Sequence, residues 1–126
     1  MRVVDSDVCV DLLRRHPPAV AWARALGEPI GIAGFAALEL VSGCRNKTEL
    51  RFVRRLLAAF TVLWPTEADM DRALNHLAPL RMSRGLGLLD SVIAATVAGR
   101  GDTLLTFNVA HYSAVPGLAL ERPYMR

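Results

Sequence analysis

The sequence predicts an α/β fold: a three-layer sandwich with a short central parallel sheet and helices on both faces. The first sign is the alternation of short apolar runs with longer stretches of helical periodicity, the order expected of a parallel sheet built from βα units. The second is that those runs are apolar, as strands covered on both faces are. The third is composition. The chain is 52% hydrophobic but only 6% aromatic, so its core is mostly Ala, Leu and Val, which suits helices packed closely on a sheet. At 126 residues it reads as one domain, 1–126, long enough to bury a core.

In chain order, Val3-Val4 is a short strand. Asp7 to Arg15 reads as a helix, ended by His16-Pro17-Pro18 because a residue before proline disfavours helical geometry. Ala19 to Leu26 is a second helix, stopped by Gly27. Ile30-Gly31-Ile32 is a strand bounded by Pro29 and Gly34. Phe35 to Ser42 is helical and closed by Gly43. Asn46, with Glu49 three residues on, resembles a capping box and opens a helix through Ala59. Thr61-Val62-Leu63 is a strand; Thr66 and Asp69 then repeat the capping pattern and open a helix towards Leu77. Leu88 to Ala98 is a strongly apolar helix, stopped by Gly99 and Gly101. Thr103 to Thr106 is a strand, and Leu118-Ala119-Leu120 is the last.

No apolar run approaches the roughly 18 residues of a membrane span. Asp5, Asp7 and Asp11 interrupt the stretch that an export signal would keep uncharged, so a cytoplasmic protein is expected. Cys9 and Cys44 are too few for a disulfide framework, contain no CxxC and read as buried thiols. The net charge of +3 is compatible with a phosphate-bearing partner without requiring one. Lys47 is the only lysine. Arginine forks suit bidentate phosphate contacts, although a GC-rich genome produces the same bias.

Most acids have structural explanations. Asp69, Asp71 and Glu49 sit in first helical turns. Asp11 stands four residues before Arg15, an ion-pair spacing on a helix surface. Glu28, Glu67 and Glu121 read as solvated, and Asp102 lies in a glycine-flanked turn. Three acids resist this reading. Asp5 ends an apolar strand, Glu39 lies in FAALELV and Asp90 lies in LGLLDSVIAATVA. Each has an ordinary alternative: a helix cap for Asp5, a lone surface acid for Glu39 and a first-turn acid for Asp90. Together they suggest a site. Two carboxylates about 5 Å apart repel by about 3 kcal/mol at an effective dielectric near 20. No histidine or lysine adjoins any of them, and a hard divalent cation, Mg²⁺ or Mn²⁺, is the natural compensation. Such a site activates water against a phosphate ester. Asp5 and Asn108 each follow a strand, placing both at the carboxyl edge of the sheet where α/β proteins bind ligands.

At these residues the sequence resembles the PIN-domain family, and within it the VapC-type toxins of toxin–antitoxin pairs. VVDSDVCVDLL is similar to the family's opening strand, acid and helix; ALELVSGC to its second motif; LGLLDSVIAATVAGRGDTLLT to its third; and LLTFNVAHYSAVPGL to its closing motif, with the pattern Thr-x-Asn-x-x-His-aromatic. The resemblance implies a Mg²⁺- or Mn²⁺-dependent ribonuclease cutting RNA, inhibited by a cognate antitoxin and forming a homodimer. Its metal ligands would be Asp5, Glu39 and Asp90. Many members carry a fourth acid in the closing motif where this chain has Asn108. An amide supplies no charge, so one well-occupied metal site is expected, with Asn108 at its edge as a further site residue. Thr106 reads either as a group orienting a ligand or as a strand-end residue, Asp7 as a helix-start acid that hydrogen-bonds within the site, and His111 as a loop-packing residue. Arg81 and Arg84 are RNA-phosphate contacts at most, Arg45, Arg51, Arg54 and Arg55 phosphate or acidic-antitoxin contacts at most, and all are solvated helix faces on the simpler reading.

Two rival readings remain. Asp-x-Asp after a strand also opens haloacid-dehalogenase-like phosphatases, with Asp5 as nucleophile, but those need a downstream lysine or arginine and a late acidic pair; here Lys47 lies in an unsuitable helix and no late Asp-Asp pair exists. The other rival is a PIN-like binding module whose site is catalytically inert.

Overall fold

Val3 and Val4 point to opposite faces of their strand, and both are fully buried, as are Ile32 with Ala33 and Leu104 with Leu105. Helices therefore cover the sheet on both sides. This is seen in a computed structural model describing residues 1–126. The strands are β1 (Arg2–Val4), β2 (Ile30–Ala33), β3 (Thr61–Leu63), β4 (Thr103–Leu105) and β5 (Ala119–Glu121). They form one parallel sheet in the order β3-β2-β1-β4-β5, with Val3 opposite Gly31 on one side and Leu104 on the other.

The helices are α1 (Ser6–Leu13), α2 (Pro17–Arg24), α3 (Gly34–Ser42), α4 (Lys47–Leu57), α5 (Glu67–Arg84), α6 (Leu88–Arg100) and α7 (Val109–Tyr112). Element types agree with the sequence reading, but several boundaries differ. Helix α2 starts at Pro17, since a proline at the first helical position gives up an N–H that has no partner there anyway. Helix α5 passes its expected end at Leu77 and continues through Pro79 to Arg84. The proline costs a backbone hydrogen bond, but Leu80 beyond it packs on the core and keeps the chain helical. Gly99 does not stop α6. It is where Asp69 and Arg72 of α5 press against the helix, leaving no room for a Cβ. The stop is Gly101, in the left-handed region at φ 70°. The short α7 was not anticipated.

Two polar assignments also change. Asp11 is not on an exposed face beside Arg15. It is 6% exposed and is held by Arg126 through two hydrogen bonds of 3.0 Å and by the Tyr124 hydroxyl at 2.8 Å. These partners hold its carboxyl below the usual range despite its burial. Cys9 is buried as expected, whereas Cys44 is only partly covered.

Chain order reverses at β1, whose neighbours β2 and β4 lie on opposite sides. In open parallel sheets, ligands bind beyond the carboxyl ends of the strands at this point. The residues that follow β1 and β4 are Asp5 and Thr106.

Candidate active site

The Asp5 backbone N–H donates to Leu105 O at 2.9 Å, locking together the ends of β1 and β4. Its side chain then turns back as the N-cap of α1 and accepts from Ser6 N at 2.8 Å. The anticipated capping role and a place at the candidate site thus coexist in one residue. The carboxyl is 5% exposed. Burial, followed by the charge of Asp7 and, more weakly, that of Asp90, pushes its pKa up to about 6. Neighbouring Cys9 is driven upward as well, first by burial and then by Asp5 and Asp7.

Thr106, fully buried just past β4, donates its hydroxyl to Asp5 Oδ2 at 2.9 Å. Thr106 Oγ1 also lies 3.3 Å from Asp7 Oδ2 and accepts from Asn108 N at 3.0 Å. Asp7 Oδ2 also accepts from Phe107 N at 2.8 Å. Asp7 is therefore a first-turn acid that hydrogen-bonds within the site. Its carboxylate ties α1 to the strand that brings in Thr106.

Asp90 lies in the first turn of α6, behind the N-cap Gly87, which offers no capping side chain. Its Oδ1 accepts from the Tyr112 hydroxyl at 3.1 Å, and its Oδ2 lies 3.3 Å from His111 Nε2. Asn108 prepares both contacts. Its exposed side chain makes no hydrogen bond, but its backbone oxygen accepts from His111 N and Tyr112 N and turns the chain into α7. His111 is thus paired with an acid rather than simply packed in a loop. The Tyr112 phenol is fully buried, and burial followed by the fields of Asp5 and Asp90 raises its pKa far above the ordinary tyrosine value.

Glu39 is placed differently. It lies exposed on α3, and its carboxylate makes no hydrogen bond. It lines a cleft of about 550 Å³ between α1, α3 and α4, together with Val10, Leu40, Phe52 and Ser6, the residue after Asp5. Asp5 and Asp90 thus both act on the Tyr112 phenol through their fields, while Glu39 stands on the wall of the adjoining cleft. No three His, Cys, Asp or Glu side chains are close enough together to hold a metal ion as they stand. The donor chemistry nonetheless suits a hard cation: Asp5 and Asp90 offer only oxygen, and a few carboxylates completed by water are how Mg²⁺ is usually held. Of the arginines, Arg45 pairs with Glu49 at 2.9 Å and Arg55 lies 6.0 Å from the centre of the Phe52 ring. Arg51, Arg54, Arg81 and Arg84 are exposed.

The sequence reading missed the role of Tyr112. It is the aromatic position of the closing motif, two residues before Ala114, and spacing alone cannot distinguish a ring in the core from a hydroxyl aimed at a carboxylate.

The PIN domain sequence profile matches residues 2–116. Ribonuclease VapC10 of Mycobacterium tuberculosis is 40% identical over 116 residues, covering 89% of this chain and 86% of that protein. Ribonuclease VapC19 of the same organism is 33% identical over 129 residues, covering 98% and 100%. Among solved structures, DNA-bound VapBC from Salmonella typhimurium aligns with a TM-score of 0.83 at 21% identity, covering 95% of this chain and 96% of that one. VapBC2 from Rickettsia felis, bound to a DNA fragment from its promoter, aligns with a TM-score of 0.79 at 21% identity over the same shares. At that identity the structural likeness is one of fold. With the profile spanning nearly all of the sequence and relatives above 30% identity along most of it, this chain belongs to the PIN domain family.

Proposed function

We propose that this protein is a metal-dependent endoribonuclease and the toxin of a toxin–antitoxin pair. The observation that carries the reading is the buried Asp5 carboxyl at the switch point of the sheet, within the field of Asp90 and with no basic side chain among the groups that perturb it. Such a pair gains most from a divalent cation. Asp5 and Asp90 would hold Mg²⁺ or Mn²⁺ with water, Glu39 would contribute from the cleft wall as the third acid, and Asn108 would stand at the edge. When bound, the metal orients and acidifies a water and screens the phosphate charge. Thr106 and Ser6 fix the direction of the Asp5 carboxylate through their hydrogen bonds, and His111 lies on the more open side of Asp90. The VapC relatives are named ribonucleases, and their overlap with this chain supports RNA as the substrate. Structures of similar fold were solved as toxin–antitoxin complexes, which supports an antitoxin partner, and a homodimer fits the same reading. No helix is long and apolar enough to cross a membrane, in keeping with the proposed cytoplasmic site of action.

The test is cleavage of RNA with Mn²⁺, with EDTA, and by Asp5→Ala and Asp90→Asn variants checked for folding. Cleavage that depends on the metal and on both acids supports the proposal; metal-independent cleavage, or full activity in either folded variant, refutes it. The inert-module reading draws on the separation of Glu39 from the other acids and on the uncharged Asn108. It would be favoured by wild-type protein that binds no Mn²⁺ and cuts no RNA. Phospho-aspartate chemistry finds no lysine at Asp5, since Lys47 is exposed at the start of α4.

A further inference from the structure

Tyr112 differs from every other partner of the candidate ligands. Thr106 and Ser6 serve Asp5, and His111 is a partly exposed side chain beside Asp90. Tyr112 alone joins the core to the acid of α6. Its ring belongs to the main hydrophobic cluster with 0% exposure, and its hydroxyl donates to Asp90 Oδ1. Asp90 needs such an anchor. It sits in the first turn of a helix whose N-cap is a glycine without a capping side chain, and its own side chain is 31% exposed, free to turn towards water. The fields of both Asp5 and Asp90 act on the phenol.

We propose that Tyr112 is a positioning residue for the metal site: anchored in the core, its hydroxyl holds Asp90 Oδ1 and so presents Oδ2 for coordination beside Asp5. The chain thereby uses a neutral donor that remains in place when a cation binds, whereas a basic side chain would compete with the cation. His111, on the more open side of Asp90, is the contact free to move aside. This inference rests on the proposed metal-dependent function.

The experiment is calorimetric titration of Mn²⁺ into wild-type protein, Asp5→Ala and Tyr112→Phe, without RNA. The Phe variant keeps the ring in the core, and Asp90, being partly exposed, can take water in place of the lost hydroxyl. Its Mn²⁺ affinity is expected to fall by about 10- to 100-fold, the usual effect of removing a partner that orients a metal ligand. Cleavage by the variant should be weak at low Mn²⁺ and recover towards the wild-type rate at saturating Mn²⁺, which a purely structural defect would not do. Wild-type affinity in a folded Tyr112→Phe protein, or a loss of cleavage that excess Mn²⁺ leaves unrepaired, overturns the assignment. If the variant does not fold, a Mn²⁺-soaked wild-type crystal decides: the hydroxyl bonded to a coordinating Asp90 supports the proposal, and a phenol without that bond overturns it. Wild-type protein that binds no Mn²⁺ brings down the metal-dependent function itself. Binding lost in Asp5→Ala but intact in Tyr112→Phe refutes the role of Tyr112 alone.

Discussion

Replacing Asp5 with Asn should stabilise the metal-free protein above neutral pH and leave it nearly unchanged in acid. The folded pKa is raised from the ordinary 3.8 to about 6, so the native state holds its proton more tightly than the unfolded chain. Stability is then greatest below the unfolded value, declines as pH rises between the two values, and is fully reduced above about pH 6. At about 1.4 kcal/mol per pKa unit, that rise amounts to about 3 kcal/mol of native-state cost when the carboxylate is charged. Asp5 is 5% exposed, so solvent screening takes little from this figure. Asn keeps an oxygen able to accept from Ser6 N and carries no charge. Urea unfolding in EDTA from about pH 4 to about pH 8, followed by the fluorescence of Trp22 and Trp64, measures the difference. The two proteins should agree near pH 4, and the variant should be about 2–3 kcal/mol more stable near pH 8. Mn²⁺ at about a hundred times its dissociation constant should add about 2.7 kcal/mol to the wild type and much less to the variant. Parallel pH curves for the two proteins would refute the claim that Asp5 is strained by burial among other acids.

Three further outcomes are expected. Thr106→Val removes the donor to Asp5 and the acceptor for Asn108 N in a fully buried position. It should cost about 1–3 kcal/mol in denaturant unfolding and move the Asp5 titration, read by carboxyl-carbon NMR, to still higher pH. Arg126→Ala takes the ion-pair partner from Asp11, whose folded pKa is depressed. The pairing stabilises above the unfolded value near 3.8 and fades as pH falls through the folded one, so a cost of about 1 kcal/mol at neutral pH should vanish in acid, as pH-dependent melting would show. Gly99→Ala would gain about 1 kcal/mol on an open helix. Here the added Cβ meets Asp69 and Arg72, so a loss of about 1–3 kcal/mol in urea unfolding is expected.

The order of the strands and of the longer helices, the apolar character of the sheet, and the place of Asp5 at the end of a buried strand were legible in the sequence, because each is written in local patterning. Val3-Val4 and Leu104-Leu105 look like doubly covered strands since both neighbours must be apolar when both faces are buried. Asp5 stands out because an acid directly after such a strand requires compensation. Long-range partnership is different. The pairing of Asp11 with Arg126, the passage of α5 through Pro79, the placing of Glu39 on the cleft wall and the hydroxyl of Tyr112 on Asp90 all join elements remote along the chain. They depend on which helices pack together and on which way a side chain points within a turn. Tertiary packing alone decides these, because a side chain's local preferences are worth a few tenths of a kcal/mol to about 1 kcal/mol, whereas burying a core residue is worth two or three times as much.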